Sequence, residues 1–565
     1  LSIDPRPARH LGALAWLGLL AAACVMILGG LGQTDLWDPD EPRIAQVTEE
    51  MRSGRHGASG WVLLHLNREP YTEKPPLYYW LVSLASAGEE RVDAVAARLP
   101  SALAGIACVI LGAAFGARLL GARAGLLGAM LLLSTWEFVY LARRAQFDVL
   151  LALLETLALV GFWRADRGIG SRGWNAALFH GAMGLAVLTK GPVGLLIPML
   201  VAATWLAWEG RLREMRRAVP LWGLVLSLGP GLAWLGVSAA LAPEGFLGET
   251  VGTNLLGRFF GGTSHERPFY YYLYKFPTEN LPWSLLWPLV AVVGWRRIFG
   301  PGADAERRRS WRFLLAWVGA SFVFFSLSSG KRGLYLLPAF PAAALLLADA
   351  LLATVEARGR VPTWLGRAAA GLGALFVLAG VGVAAWPIEK ADVPWTFAAA
   401  VIAAVGGAAL AWRALAHAAP ALRLGAIAVG AAGIELAAFT LLFPAIDAEK
   451  SLRPFGRAVA SLTAPEEPVG LVGSAQKTGT FAYYTRRRIV PLDTPAQVRS
   501  FVEGGGRILI TEREDLERLE PAGPVVLRAA EGGDEDHFVA ASPRDGGPGA
   551  TSGGGSASHP SESPP

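Results

Sequence analysis

The chain has 565 residues, of which 53% are hydrophobic and 17% charged, with a mean hydropathy of +0.38 and a net charge of +5. Soluble globular domains carry nearer a quarter of charged residues, so this composition excludes a purely soluble fold. The basic excess marks a nucleic-acid binder only where it forms a water-facing patch, and here it is interrupted throughout by apolar runs.

Taken in chain order, residues 11–31 form the first apolar run, following Arg6, Arg9 and His10. It has no convincing cleavage site and is long enough to span a bilayer, so it reads as an uncleaved first transmembrane helix. Cys24 lies in a faint lipoprotein-like box that lacks the aliphatic residue wanted three positions earlier. With Cys108 it makes two cysteines, both in apolar runs, which leaves no disulfide framework and no cysteine metal cluster. Further runs follow at 99–119, 124–140, 147–163, 174–189, 191–208, 219–242, 281–297, 312–328, 334–353, 366–386, 395–412 and 424–444, making thirteen predicted spans. Residues 76–87 are apolar too, but fall short of the roughly twenty residues a span needs, and are expected to lie along the interface.

That placement puts the basic short loops on one side, including Arg164/Arg167/Arg172, Arg211/Arg213/Arg216/Arg217 and Arg307/Arg308/Arg309, as cytoplasmic loops require. All seven lysines, against 44 arginines, then fall on the external face. If 76–87 crossed, the arginines would face outward instead. Residues 1–449 are therefore expected to form a transmembrane domain with long external loops at 32–98 and 243–280. Short strand-like runs at 469–473, 488–492, 507–511 and 524–529 alternate with helix-like stretches, predicting a small external α/β domain over 450–542. Residues 543–565 are rich in Gly, Ser and Pro and read as disordered.

The chemistry gathers on the external side. Asp35, Asp38, Asp40 and Glu41 put four carboxylates within seven residues where the first helix leaves the membrane. Glu73-Lys74 precede Pro75-Pro76, which hold the backbone extended. Arg143, Arg144 and Asp148 mark one turn, Lys190 a second and Lys331-Arg332 a third, while the 243–280 loop adds Arg258, His265 and Arg267. Cations converging from several connections beside fixed carboxylates suit an anionic lipid headgroup, since phosphate is held by charge-assisted hydrogen bonds. Glu155 and Glu435 fall inside predicted spans and are expected to make interhelical hydrogen bonds; His180 is expected to be packed or hydrogen-bonded.

The blocks Trp37-Asp38-Pro39-Asp40-Glu41, Glu73-Lys74-Pro75-Pro76-Leu77, Ala97-Arg98-Leu99-Pro100-Ser101, Leu188-Thr189-Lys190-Gly191-Pro192 and Gly330-Lys331-Arg332 resemble the signature blocks of the GT-C membrane glycosyltransferases. Within them the chain is similar to the 4-amino-4-deoxy-L-arabinose (lipid A) transferase and protein mannosyltransferase-like family. The resemblance covers most of residues 11–350 and implies about thirteen transmembrane helices in a bacterial inner membrane, with the active site and C-terminal domain on the periplasmic side. It implies an inverting transfer of a sugar from a polyprenyl (undecaprenyl) phosphate carrier to a lipid A-like, glycan or protein acceptor, with no nucleic-acid partner. By the same resemblance Asp40 would be the general base, with Glu41 beside it and Asp148 a second cavity carboxylate. Lys74, Arg258, Lys331 and Tyr335 would hold the carrier phosphate. Glu73 and His265 match positions that hold zinc, or another divalent metal, in relatives, although the transfer itself requires no cofactor. A lipid-linked sugar transporter or flippase is the alternative; it calls for broken, charged helices at the bilayer midplane. A non-catalytic membrane scaffold is another, which leaves Asp40, Glu73 and Lys74 without a purpose.

Overall fold

The computed structural model describes residues 12–257, 266–301, 304–385, 393–415, 420–473, 475–512, 517–519, 525–529 and 538–543. All thirteen apolar runs fall on helical segments. After α1 (Ala13–Leu28), the connecting segment folds as α2 (Asp40–Arg52), a hairpin of β1 (His65–Leu66) and β2 (Glu69–Pro70), and α3 (Leu77–Ala85). Nine residues of α3 reach only roughly 14 Å at 1.5 Å each, too little to cross a hydrocarbon core. The bundle continues through α4 (Ala94–Leu120), α5 (Ala122–Leu133), α6 (Trp136–Ala142), α7 (Phe147–Asp166), α8 (Arg172–Lys190), α9 (Val193–Trp208) and α10 (Leu221–Leu241). Then come α11 (Tyr271–Glu279), α12 (Trp287–Phe299), α13 (Ala305–Leu327), α14 (Phe340–Arg358), α15 (Thr363–Ala385), α16 (Trp395–Ala414) and α17 (Pro420–Ala437).

Among the described residues, seven helical stretches are long and apolar enough to cross a membrane, or eight when one bent pair counts as a span. Large apolar side chains stand exposed on them, with Leu378 at 70% and Val225 at 63%; a helix that is apolar all round but bare on one face is covered by lipid. The interior is close-packed: a Cβ on Gly161 of α7 would lie 2.8 Å from the backbone of both Asn175 and Phe179, so only glycine lets α7 and α8 approach this closely.

The run at 124–140 is not one straight span. It breaks at Ser134-Thr135 and turns by 69° between α5 and α6. The hydroxyls of these two residues donate to the carbonyls of Met130 and Leu131, while Trp283 Nε1 donates to Ser134 O at 2.8 Å and Trp136 N to Leu281 O at 3.2 Å. Neighbouring segments thus satisfy the backbone groups that a broken helix frees. The run at 281–297 likewise begins as a 3-10 turn over Trp283–Leu286 before α12. The interhelical bonds expected of Glu155 and Glu435 are not made: among the described residues neither carboxylate has a hydrogen-bond partner, because the packed helices bring no donor within reach. His180 does find partners, with Nδ1 2.7 Å from Ser227 Oγ and Nε2 2.9 Å from Ala218 O.

Beyond α18 (Phe443–Lys450) and α19 (Arg453–Ser461), five strands form one sheet. In chain order they are β3 (Val469–Val472), β4 (Ile489–Leu492), β5 (Leu509–Glu512), β6 (Val525–Ala529) and β7 (Phe538–Pro543). The spatial order is β4-β3-β5-β7-β6, with β3 parallel to β4 and β5 and β7 antiparallel to both neighbours. Four strands lie within two residues of their expected positions, and β7 adds a fifth. Helix α20 (Thr478–Thr485) leads into β4, and α21 (Pro495–Glu503) opens on a capping box between Thr494 and Gln497. The tail beyond residue 543 lies outside the described residues.

Candidate functional site

The two ends of α7 carry different chemistry. Its C-terminal end, about 27 Å from Asp148, holds Asp166 paired with Arg211 at 2.7 Å; nearby basic loops pair Arg312 with Glu209 at 2.7 Å and both Arg297 and Arg307 with Asp349. Its N-terminal end meets α2, the end of α8, α11 and the turn Gly333–Ala339, and this end carries the carboxylates singled out above.

Helix α2 begins at Asp40 because Pro39 stands before its first turn, and Asp40 and Glu41 there complement the positive end of the helix dipole. The two neighbours then part company. Asp40 Oδ1 is 2.5 Å from Arg43 Nη2, Oδ2 is 3.1 Å from Arg332 Nη2, and Gln146 Nε2 donates to Oδ2 at 3.4 Å. Burial alone would push the Asp40 carboxyl up, but Arg43 and Arg332 outweigh it and hold it at about 2. Arg43 also lies 3.7 Å from Glu73 and close to Tyr71 and Tyr79. Glu41, in contrast, is fully buried: Arg98 grips both its oxygens at 2.8 and 2.9 Å, Arg144 adds 3.1 Å, and the amides of Ala145 and Trp37 donate at 2.8 and 3.0 Å. With every lone pair engaged, Glu41 fastens α2 to α4 and to the α6–α7 turn. Arg98 extends the clamp by donating to the carbonyls of Leu31, Thr34 and Asp35.

Asp148, in the first turn of α7, is buried and ion-paired with Lys190 at the end of α8, whose ammonium stands 4.4 Å from the centre of the Tyr335 ring. Asp148 also lies in the field of Arg332, which links this pair to the Asp40 cluster. Next to it Lys275 is 3.6 Å from Glu279, whose carboxyl is pushed up to about 8 by burial and by Glu137, against the pull of Lys275.

The turn after α13 splits its two cations. Lys331 is buried and donates to the backbone carbonyls of Ser328 and Arg267, and burial pushes its ammonium down. Arg332, named above only as Lys331's neighbour in the turn, is the one that reaches Asp40, while its own carbonyl accepts from Tyr272 at 2.9 Å. Lys74 and Glu73 are half-buried on the approach to α3. Arg258 and His265 lie outside the described residues, so the Glu73–His265 metal pair is represented by Glu73 alone. Among the described residues no group of three or more His, Cys, Asp or Glu side chains is placed to hold a metal.

Helix α20 braces the Asp40 loop from the C-terminal sheet. Thr480 donates to Asp38, Lys477 lies 3.7 Å from it, and Tyr484 donates to Leu36 O at 2.6 Å. A Cβ on Gly479 would lie 2.9 Å from Arg43 Cβ and 3.1 Å from its Cα. A Gly479→Val variant is therefore expected to shift Arg43 away from Asp40. Overpacking of this kind costs about 1–3 kcal/mol, read as a lower Tm, with a larger loss of activity than of folded protein. An unchanged Tm and activity would show that the brace is idle.

The arrangement is a membrane bundle whose one end gathers carboxylates, guanidinium groups and ammonium groups under a sheet-bearing C-terminal region. Residues 13–239 match the family model described as dolichyl-phosphate-mannose-protein mannosyltransferase. The solved structure of ArnT from Cupriavidus metallidurans bound to undecaprenyl phosphate superposes with a TM-score of 0.74 at 23% identity, covering 95% of this chain and 100% of that one. An oligosaccharyltransferase, AglB from Archaeoglobus fulgidus, gives 0.51 at 13% identity over 89% of this chain and 69% of that one. The chain is similar to this class of membrane glycosyltransferases.

Within that class it is similar to the undecaprenyl phosphate-alpha-4-amino-4-deoxy-L-arabinose arabinosyl transferases. It is 30% identical to that of Pseudomonas savastanoi pv. phaseolicola over 60% of this chain and 62% of the relative. To that of Aeromonas hydrophila subsp. hydrophila it is 31% identical over 59% and 60%. The matched region thus spans about three fifths of the length of these curated relatives.

Proposed function

We propose that this chain is an inverting glycosyltransferase of a bacterial inner membrane, moving a sugar from a polyprenyl phosphate carrier to a lipid, glycan or protein acceptor. On this reading all thirteen apolar runs cross the membrane, and the Asp40 end and the 450–542 domain face the periplasm. The observation that carries it is the Arg43–Asp40–Arg332 triplet beside the Asp148–Lys190 pair at one end of an apolar bundle.

A phosphate arriving on a prenyl chain is a better guanidinium ligand than a carboxylate, because it offers more acceptor oxygens and charge. As Arg332 and Arg43 turn to it, Asp40 loses the cations that hold its carboxyl near 2 and becomes a stronger base where one is needed. An acceptor oxygen or nitrogen then attacks the anomeric carbon from the face opposite the phosphate. The carbon–oxygen bond to the carrier breaks with its electron pair on the phosphate, and the acceptor proton passes to Asp40. Arg332 and Lys190, with Lys74 and Tyr335, offset the charge growing on the departing phosphate. Asp148, paired with Lys190, orients the sugar or acceptor. Glu73 lies 3.7 Å from Arg43, whose charge opposes a second cation there.

Arg332→Gln tests the swap. Undecaprenyl phosphate binding to the full chain in detergent is expected to weaken at least tenfold, since charge-assisted bonds contribute about 1.5–3 kcal/mol each. Affinity unchanged from wild type would assign the phosphate to other residues.

A further inference from the structure

We propose that the slot between the α15–α16 pair and the rest of the bundle binds one anionic glycerophospholipid, with an acyl chain in the slot and the phosphate on Arg413 and Arg423. The slot encloses about 400 Å3, within the range of ligand pockets, and is walled by α5, the turn before α12, α14, α15, α16 and α17. On α15 Gly366, Ala369 and Gly373 face it at helical spacing, and on α16 Val405, Ala408 and Trp412 do the same. The glycines let these two helices close on each other: a Cβ on Gly366 would lie 3.2 Å from the Trp412 ring and one on Gly373 3.0 Å from Val405. Side chains this short on α15 leave the space toward α5 and α14 unfilled.

Hydrocarbon is what fits there. Arg413 is the one charged side chain on the wall, and the indole N–H of Trp283, also on the wall, is spent on Ser134 O. Water in such a slot would lack the two to four polar partners it needs, and an empty space of this size forfeits contacts on every side. A bilayer supplies lipid chains directly to helices whose outer faces are bare and apolar, as those of α15 and α16 are at Leu378 and Leu410.

Charge decides which lipid. One end of the slot is the turn Pro282–Leu286, which carries no charged residue. At the other end Arg413 lines the slot, and Arg423 lays its guanidinium 4.1 Å from the centre of the Trp412 ring. The Nε of Arg423 is buried and has no hydrogen-bond partner among the described residues. Elsewhere at this end of the bundle the arginines are spent: Arg307 on Asp349, Arg312 on Glu209 and Arg211 on Asp166. Among the described residues no carboxylate pairs with Arg413 or Arg423, and Glu356, near the end of α14, lies 3.9 Å from Arg123 instead. Two uncompensated guanidinium groups where an apolar slot meets water call for a lipid phosphate, as basic pockets between transmembrane helices do for anionic headgroups. Helix α14 runs from the turn after Arg332 to this end, roughly 28 Å for its 19 residues. The headgroup therefore belongs to the leaflet opposite Asp40, away from the carrier phosphate.

The test titrates the full chain, stripped of lipid in detergent, with palmitoyl-oleoyl phosphatidylglycerol, the matching phosphatidylcholine and undecaprenyl phosphate, counting bound lipid by native mass spectrometry. Wild type is expected to bind phosphatidylglycerol about tenfold tighter than phosphatidylcholine or better, the effect of two guanidinium groups at one phosphate. An Arg413→Gln/Arg423→Gln variant should bind the two phospholipids equally. Ala369→Trp should bind neither in the slot, with a lipid-free Tm no lower than wild type because the indole fills the space. Both variants should keep the wild-type affinity for undecaprenyl phosphate. Equal affinity of wild type for the two phospholipids, or an undiminished preference in the arginine variant, would overturn the phosphate assignment. Phosphatidylglycerol binding untouched by Ala369→Trp would overturn the slot, and loss of undecaprenyl phosphate binding in that variant would give the slot to the carrier instead. Should Ala369→Trp unfold, the arginine variant, altered only at the membrane surface, still decides. No arm measures sugar transfer, so a chain that transfers no sugar leaves this result standing.

Discussion

An Asp40→Asn variant is expected to transfer sugar about 10^2–10^4-fold more slowly than wild type, the range over which a positioned general base contributes. The loss should fall on kcat. Asparagine leaves Arg43 and Arg332 without the carboxylate that occupies them, so the guanidinium groups are freer for phosphate and KM for the donor should stay level or drop. A merely structural Asp40 would raise KM and lower the folded fraction together. The pH profile separates the roles further. In the free enzyme Asp40 sits at about 2 and is ionised at all working pH values, so kcat/KM should show no acid limb from it above about pH 3. Once the phosphate has drawn off the arginines, the acid limb of kcat should lie at higher pH. Coincident limbs would mean that the arginines do not leave Asp40.

Replacing Glu41 with alanine is expected to destabilise the fold by about 3–5 kcal/mol, the cost of removing one partner from a buried ion pair. Glu41 is fully buried, and two arginines and two backbone amides converge on it. Alanine leaves Arg98, 3% exposed, with no carboxylate across from it and removes the tie between α2, α4 and the α6–α7 turn. Thermal unfolding in detergent should show a drop in Tm far larger than any for Asp40→Asn. The pH dependence has the same origin. Burial would raise the Glu41 carboxyl, but Arg144 and Arg98 hold it at about 2 against an unperturbed 4.5. Its folded state therefore binds fewer protons between those values, and its contribution is full above about pH 4.5 and lost as pH falls toward 2. Glu41→Ala should flatten that part of the stability profile. A Tm equal to wild type would mean that the arginines find other partners.

The helices of the bundle were legible because lipid imposes a single requirement, a long apolar run, and each run became helical. What hid was the exception inside a run. Nothing in 124–140 is Pro or charged except Glu137, and the break at Ser134-Thr135 depends on Trp283 and Leu281, more than 140 residues away. The site was legible by composition and less so by direction. Asp148 pairs with Lys190 and Asp40 with Arg43 and Arg332, yet sequence could not say that Glu41 turns into the protein while Asp40 turns toward Arg332. It gave no reason to prefer Arg332 over Lys331 either, since adjacent residues in a turn point apart and only contacts with Ser328 and Arg267 decide which ammonium is spent. Arg43 is the fourth residue of α2, where helical spacing brings it within reach of Asp40 as an i to i+3 pair. The brace of α20 on residues 36–43 spans more than 400 positions in sequence, and no local pattern encodes it.

The most direct test of the central claim is to reconstitute the full chain in liposomes with polyprenyl phosphate carrying a radiolabelled sugar and a mixed acceptor extract, and to follow the label. The account predicts label leaving the carrier for an acceptor in a linkage of inverted anomeric configuration, with transfer nearly abolished in Asp40→Asn. Label that stays on the carrier while crossing the bilayer, at equal rates in both proteins, would make the chain a transporter and contradict the account.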